Sequence, residues 1–133
     1  MRKVSTIFLV LLPAAVLILG ALPNAQVLEF SVPGQAGEVH RFFYSYYSAV
    51  PAAYGNLCGL LTVGLSAVLL GVYWMLLVRP YSPARLAAPL IGCGAVAASV
   101  INVLFGCMTG IGWCISVLLL IHTVLAFMTR KKL

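Results

Sequence analysis

Four long apolar stretches, Val4 to Leu22, Leu57 to Val78, Leu86 to Met108 and Ile111 to Met128, run without a single Asp, Glu, Lys or Arg. Each is close to the ~20 apolar residues that an α-helix needs to cross about 30 Å of hydrocarbon. None alternates apolar and polar residues as a membrane β-strand does, and backbone groups in lipid must pair within their own segment, so the pattern predicts helices. The expected fold class is all-α integral membrane, a four-transmembrane-helix bundle in one membrane domain. Its spans are placed at residues 4–22, 54–78, 86–108 and 111–128. Residues 23–53 then form an outer segment, 79–85 an inner loop and 129–133 a basic tail.

The outer segment has a pattern of its own. In Val27 to Val32, Leu28, Phe30 and Val32 alternate with Glu29 and Ser31, the period of a strand. Pro33-Gly34 suits the two central positions of a type II turn, and Gly37 adds a second flexible point. Val39 to Tyr47 is rich in aromatic residues and can return as a second strand. A small extracytoplasmic β-hairpin between the first two spans is therefore expected, lying against the bundle because an isolated hairpin is marginal in water.

Small residues mark where helices meet. Gly55 and Gly59 open the second span with a GxxxG spacing, and the third span carries Ala87, Ala88, Gly92, Gly94, Ala95, Ala97, Ala98 and Ser99. Such residues let backbones approach closely where no hydrophobic drive exists between helices. The third span is therefore expected to be the most enclosed. Pro13 is expected to kink its helix, whereas Pro89 suits an early helical position.

Charge sets the orientation. Arg2 and Lys3 precede the first span, Arg79 and Arg85 join the second to the third, and Arg130, Lys131 and Lys132 follow the fourth. All three clusters read as cytoplasmic, which places both termini inside a cell membrane crossed several times. Glu29 and Glu38 fall outside, and Arg41 can pair with either across the hairpin. The net charge of +6 is divided among short flanks rather than gathered on a patch, so it speaks for lipid headgroups and against nucleic acid. A basic start and an apolar run also describe a secretory signal. This run exceeds the usual core of about 7 to 15 residues, and Pro23 occupies the site where cleavage after Ala25 would want a small residue, so a retained helix is expected.

Candidate chemistry is sparse. His122 and Asn102 are the strongly polar groups at membrane depth, and an intramembrane ionisable residue is a functional candidate by default. A neutral His122 bonded to Thr62, Ser66, Ser99, Asn102, Ser116 or Thr123 would serve as interhelical glue instead. Phe43, Tyr46 and Tyr47, within an aromatic cluster reaching from Phe42 to Tyr54, are candidates for an outer docking surface or for a plain interfacial anchor. Cys58, Cys107 and Cys114 gather toward the outer half and are candidate redox residues, although free Cys also packs as a small apolar group. No catalytic, cofactor-binding or metal-binding residue is assigned, because no GxSxG, HExxH, P-loop or dinucleotide fingerprint occurs.

The basic start, the run Tyr44-Ser45-Tyr46-Tyr47 and the helix opening Pro51-Ala52-Ala53-Tyr54-Gly55-Asn56 resemble small four-helix membrane proteins of bacteria. That resemblance implies topology and carries no activity. Small multidrug exporters are set aside because the first span has no acidic residue, membrane disulfide-forming enzymes because the chain has no CxxC, and claudin-like proteins because the outer segment has neither Cys nor Trp. The expected role is a non-enzymatic membrane subunit that associates with the lipid bilayer and with itself or another membrane protein. A small oligomeric transporter or channel is the alternative, and a membrane thiol oxidoreductase the third.

Overall fold

The computed structural model describes residues 2–31, 33–34, 37–79 and 83–129. Among them the chain forms helix α1 (Arg2–Gly20), strands β1 (Gln26–Ser31) and β2 (Val39–Tyr44), the short helix α2 (Val50–Ala53), and helices α3 (Cys58–Val78), α4 (Ala84–Ile101) and α5 (Gly110–Thr129). The molecule is thus mostly helical with one small antiparallel hairpin. Two helices, α3 and α5, are long and apolar enough to cross a membrane, each with a mean hydropathy of 2.2. The expected first and third spans hold shorter apolar helices, Ser5–Gly20 and Arg85–Ile101.

Two glycine caps account for the shifted helix boundaries. After α4 the chain turns through Asn102 to Gly106, where Gly106 N–H bonds to the Val103 carbonyl at 3.0 Å and Cys107 N–H to the Asn102 carbonyl at 3.1 Å. This nested pair of bonds is the Schellman arrangement, and Gly106 supplies its left-handed residue at φ +64. Gly55, at φ +86, closes α2 in the same way, with Gly55 N–H on Ala52 and Asn56 N–H on Pro51. The third apolar stretch therefore stops being regular helix before Met108, and α3 starts at Cys58 instead of Tyr54. Pro89 lies one turn into α4, past the first four positions, and having no N–H it cannot donate to the carbonyl four residues earlier.

α1 packs against α3 and α5, and α4 packs against the same two helices. The interior between them holds Leu9 and Val16 of α1, Leu69 and Tyr73 of α3, Ala88 and Ala95 of α4, and Ile115 and Leu119 of α5. Close approach depends on glycine: a Cβ at Gly20 would sit 2.8 Å from Val63 Cγ1, and one at Gly92 would sit 2.7 Å from Thr123 Oγ1. α4 is not the most enclosed helix, because each long helix buries only the stripe facing its two neighbours. Cys93, Gly94 and Ala97 consequently face outward.

In the hairpin, Leu28 stands opposite Phe42, Glu29 opposite Arg41 and Phe30 opposite His40. Opposed residues share a face, so Leu28, Phe30 and Phe42 lie on one side and Glu29 and Arg41 on the other. The Arg41 Nε to Glu29 Oε1 distance is 2.7 Å, which selects Glu29 as the partner of Arg41. Gly34, at φ +90, has the backbone that the third position of a type II turn requires. Val32, residues 80–82 of the expected inner loop at 79–85 and the basic tail from Arg130 onward lie outside the described residues.

Candidate functional site

The polar side chains inside this molecule concentrate at the end that carries the hairpin, where two loops and three helices meet. The Schellman cap at Gly55 directs Asn56 inward, where its Oδ1 accepts from Cys58 N–H at 3.0 Å and so caps the start of α3. Its amide donates to Asn102 Oδ1 at 3.1 Å, and the Asn102 amide donates to Tyr46 Oη at 3.4 Å. Asn56, Asn102 and Tyr46 are all buried, which gives these bonds their weight: an unpaired partner would lose water without compensation. Burial pushes the Tyr46 phenol above its ordinary value, with hydrogen bonds to Asn102 and Ser99 acting the other way, so Tyr46 stays a neutral hydroxyl.

The hairpin is sewn onto this cluster by main chain. Tyr46 N–H donates to the last carbonyl of α1, Gly20 O, at 2.8 Å, and Val27 N–H donates to Cys107 O at 3.2 Å. Buried Gln26 donates to Ser45 O at 2.8 Å and lies against Gly59, where a Cβ would meet its Oε1 at 2.8 Å. Thr109 Oγ1 donates to Ala25 O at 2.7 Å and also receives Gly112 N–H at 3.2 Å, opening α5. Ser99 and Ser116 share a hydrogen bond of 2.6 Å between α4 and α5. The segment between α1 and α3 is in this way a built part of the fold.

His122 lies elsewhere. It is fully buried on α5, with its ring edge-on to Tyr73 of α3 at a centroid distance of 5.4 Å. Neither His122 nitrogen nor the Tyr73 hydroxyl has a hydrogen-bond partner among the described residues. The partners expected from sequence are engaged differently. Thr62, Ser66, Ser116 and Thr123 each donate to the carbonyl four residues earlier in their own helix, and Ser99 and Asn102 belong to the hairpin-end cluster. His122 and Asn102 are therefore not brought together, and Asn102, expected within the third span, lies just beyond the end of α4. Tyr73, which sequence reasoning passed over, is the contact His122 makes; nothing in its local spacing distinguishes it from an ordinary core aromatic.

The expected docking trio separates. Phe43 and Tyr47 are exposed, although the Tyr47 hydroxyl is tied to Leu17 O at 2.9 Å, whereas Tyr46 is fully buried and does not belong to that surface. Phe30 instead joins the aromatic group, edge-on to Phe42 at 5.8 Å and to Tyr54 at 5.0 Å. The expected cysteine trio separates as well. Cys58 and Cys107 are buried at the hairpin end, and Cys114 is exposed on α5, as is Cys93 on α4. No group of three or more His, Cys, Asp or Glu side chains gathers among the described residues in a way that could hold a metal ion. Comparison of the chain with protein-family models, with curated proteins and with solved structures returns no match.

Proposed function

We propose that this chain is a four-span integral membrane protein with both termini cytoplasmic, and that it acts as a non-enzymatic subunit associating with copies of itself or with a larger membrane complex. The observation that carries this is an inversion of polarity. The buried positions of the long helices include Thr62, Ser66, Ser99, Ser116, His122 and Thr123, while Ile18, Trp74, Leu90 and Met128 are each about 70% exposed. Only 33% of the most apolar window of α3 and 39% of that of α5 is buried, unlike the core helix of a soluble protein. Large apolar side chains turned outward over this extent suit hydrocarbon. The orientation draws on Arg2, Lys3, Arg79 and Arg85, all at the end away from the hairpin. The outward aromatics Phe43 and Tyr47 offer a contact surface at the opposite interface.

A transporter or channel is the second reading, and His122 with Tyr73 is the observation that favours it, since polar atoms without partners inside a membrane protein mark candidate pathways. Native mass spectrometry of the tagged chain, extracted gently from its own membrane, separates the two. A different chain at fixed stoichiometry would support a subunit of a larger complex. A defined homo-oligomer would fit self-association and also bring transport forward, and a monomer without partners would overturn the subunit reading.

A further inference from the structure

Cys58 and Cys107 are far apart in sequence, yet two glycine caps deliver them to one place. The Gly55 cap positions Asn56 to hold the backbone of Cys58 at 3.0 Å, and the Gly106 cap makes Cys107 the residue whose N–H closes on Asn102 at 3.1 Å. Asn56 and Asn102 are bonded side chain to side chain at 3.1 Å, so the two caps share one buried junction. The Cys107 thiol donates to Phe105 O at 3.3 Å within the same capped turn. Both cysteines are nearly buried and free, while Cys93 and Cys114 are exposed on other surfaces. Of the cysteines, these two adjoin the bonded Asn56–Asn102 pair, Cys58 through Asn56 and Cys107 through Asn102.

We propose that Cys58 and Cys107 are a disulfide-forming pair that ties the start of α3 to the α4–α5 turn, oxidised in the cell by a thiol–disulfide oxidant of the outer compartment. The chemistry is exchange. One protein thiolate attacks a sulfur of the oxidant disulfide and releases its first thiol. The other protein thiolate then attacks the resulting mixed disulfide, forming the Cys58–Cys107 bond and releasing the second thiol. Two electrons pass to the oxidant, and the two protons leave with its thiols. Closure requires the Cβ atoms to come within about 3.5–4.5 Å, so side-chain rotation and a shift of the capped turn must accompany it. The oxidation in cells rests on the orientation proposed above, whereas the pairing itself does not.

The test uses the full chain with Cys93→Ser and Cys114→Ser, purified in detergent, incubated with oxidised glutathione, quenched in acid and denatured before maleimide labelling. Intact mass should fall by two hydrogens with no maleimide added, and reduction before labelling should restore two adducts. Adding Cys58→Ser or Cys107→Ser should abolish that mass loss and leave a glutathione adduct or one free thiol. Two immediate adducts, or glutathione retained on both thiols, would overturn the pairing whatever the membrane topology. If the bond forms in the purified protein but acid-trapped cells yield two free thiols, the pairing stands and the outward orientation of the hairpin end fails.

Discussion

Two buried tyrosines show how differently one side-chain type is used in this interior. Tyr46 Oη receives the Asn102 amide, while Tyr73 Oη has no partner among the described residues and rests beside His122. A buried hydroxyl without a partner carries a desolvation penalty of about 1–3 kcal/mol, and removing it forfeits no bond. Tyr73→Phe is therefore expected to leave the melting temperature unchanged or to raise it, whereas Tyr46→Phe strands the Asn102 amide and should lower stability by about 1–3 kcal/mol. Thermal unfolding in detergent, followed by circular dichroism, compares the two directly. A destabilised Tyr73→Phe would mean that its hydroxyl has a partner. From sequence, the depth of His122 and Asn102 in apolar stretches was legible, but their partners were not. Asn56 and Tyr46 are 46 and 56 residues from Asn102, and loop caps, not helix periodicity, bring them to it.

At the scale of elements, apolar runs located the four long helices well because burial and lipid exposure both demand continuous hydrophobicity. Their ends were less legible, since Gly55 and Gly106 lie within or beside apolar runs and act through backbone conformation. The hairpin was readable from alternation at Leu28, Glu29 and Phe30, whereas the choice of Glu29 over Glu38 for Arg41 needed the strand register; such an exposed pair contributes only about 0–1 kcal/mol. Which small residues of α4 sit at contacts was not readable, because Gly92 and Gly94 differ only in the direction they face. A Cβ at Gly92 would press on Thr123 Oγ1 at 2.7 Å, a hydroxyl already committed to Leu119 O, whereas one at Gly94 would meet Leu65 Cδ1 at an ordinary 3.6 Å. Gly92→Ala should cost about 1–3 kcal/mol through overpacking, and Gly94→Ala should stay within about 0.5 kcal/mol of the parent. Equal melting temperatures for the two variants would show that α4 and α5 do not meet at Gly92.

For the whole molecule, the two tryptophans offer a probe of where its faces lie. Trp113 is in the first turn of α5 at the hairpin end, and Trp74 is in the last turns of α3 at the opposite end; both are largely exposed. If the exposed apolar belt between them is covered by hydrocarbon, each indole sits near a headgroup layer, one per leaflet, where its ring and N–H find mixed surroundings. The basic residues Arg2, Lys3, Arg79 and Arg85 at the Trp74 end and the Glu29–Arg41 pair at the Trp113 end suit the same two boundaries. Single-tryptophan variants, Trp74→Phe and Trp113→Phe, can be reconstituted into vesicles whose lipids carry bromines at different depths. Both remaining indoles should be quenched most by bromines high on the acyl chain and less by those near its end. Maximal quenching at the bilayer centre would require the helices to lie shallow or to cross elsewhere along their length. Strong quenching by aqueous iodide, with no response to any brominated lipid, would show that water and not hydrocarbon covers the belt between the two tryptophans.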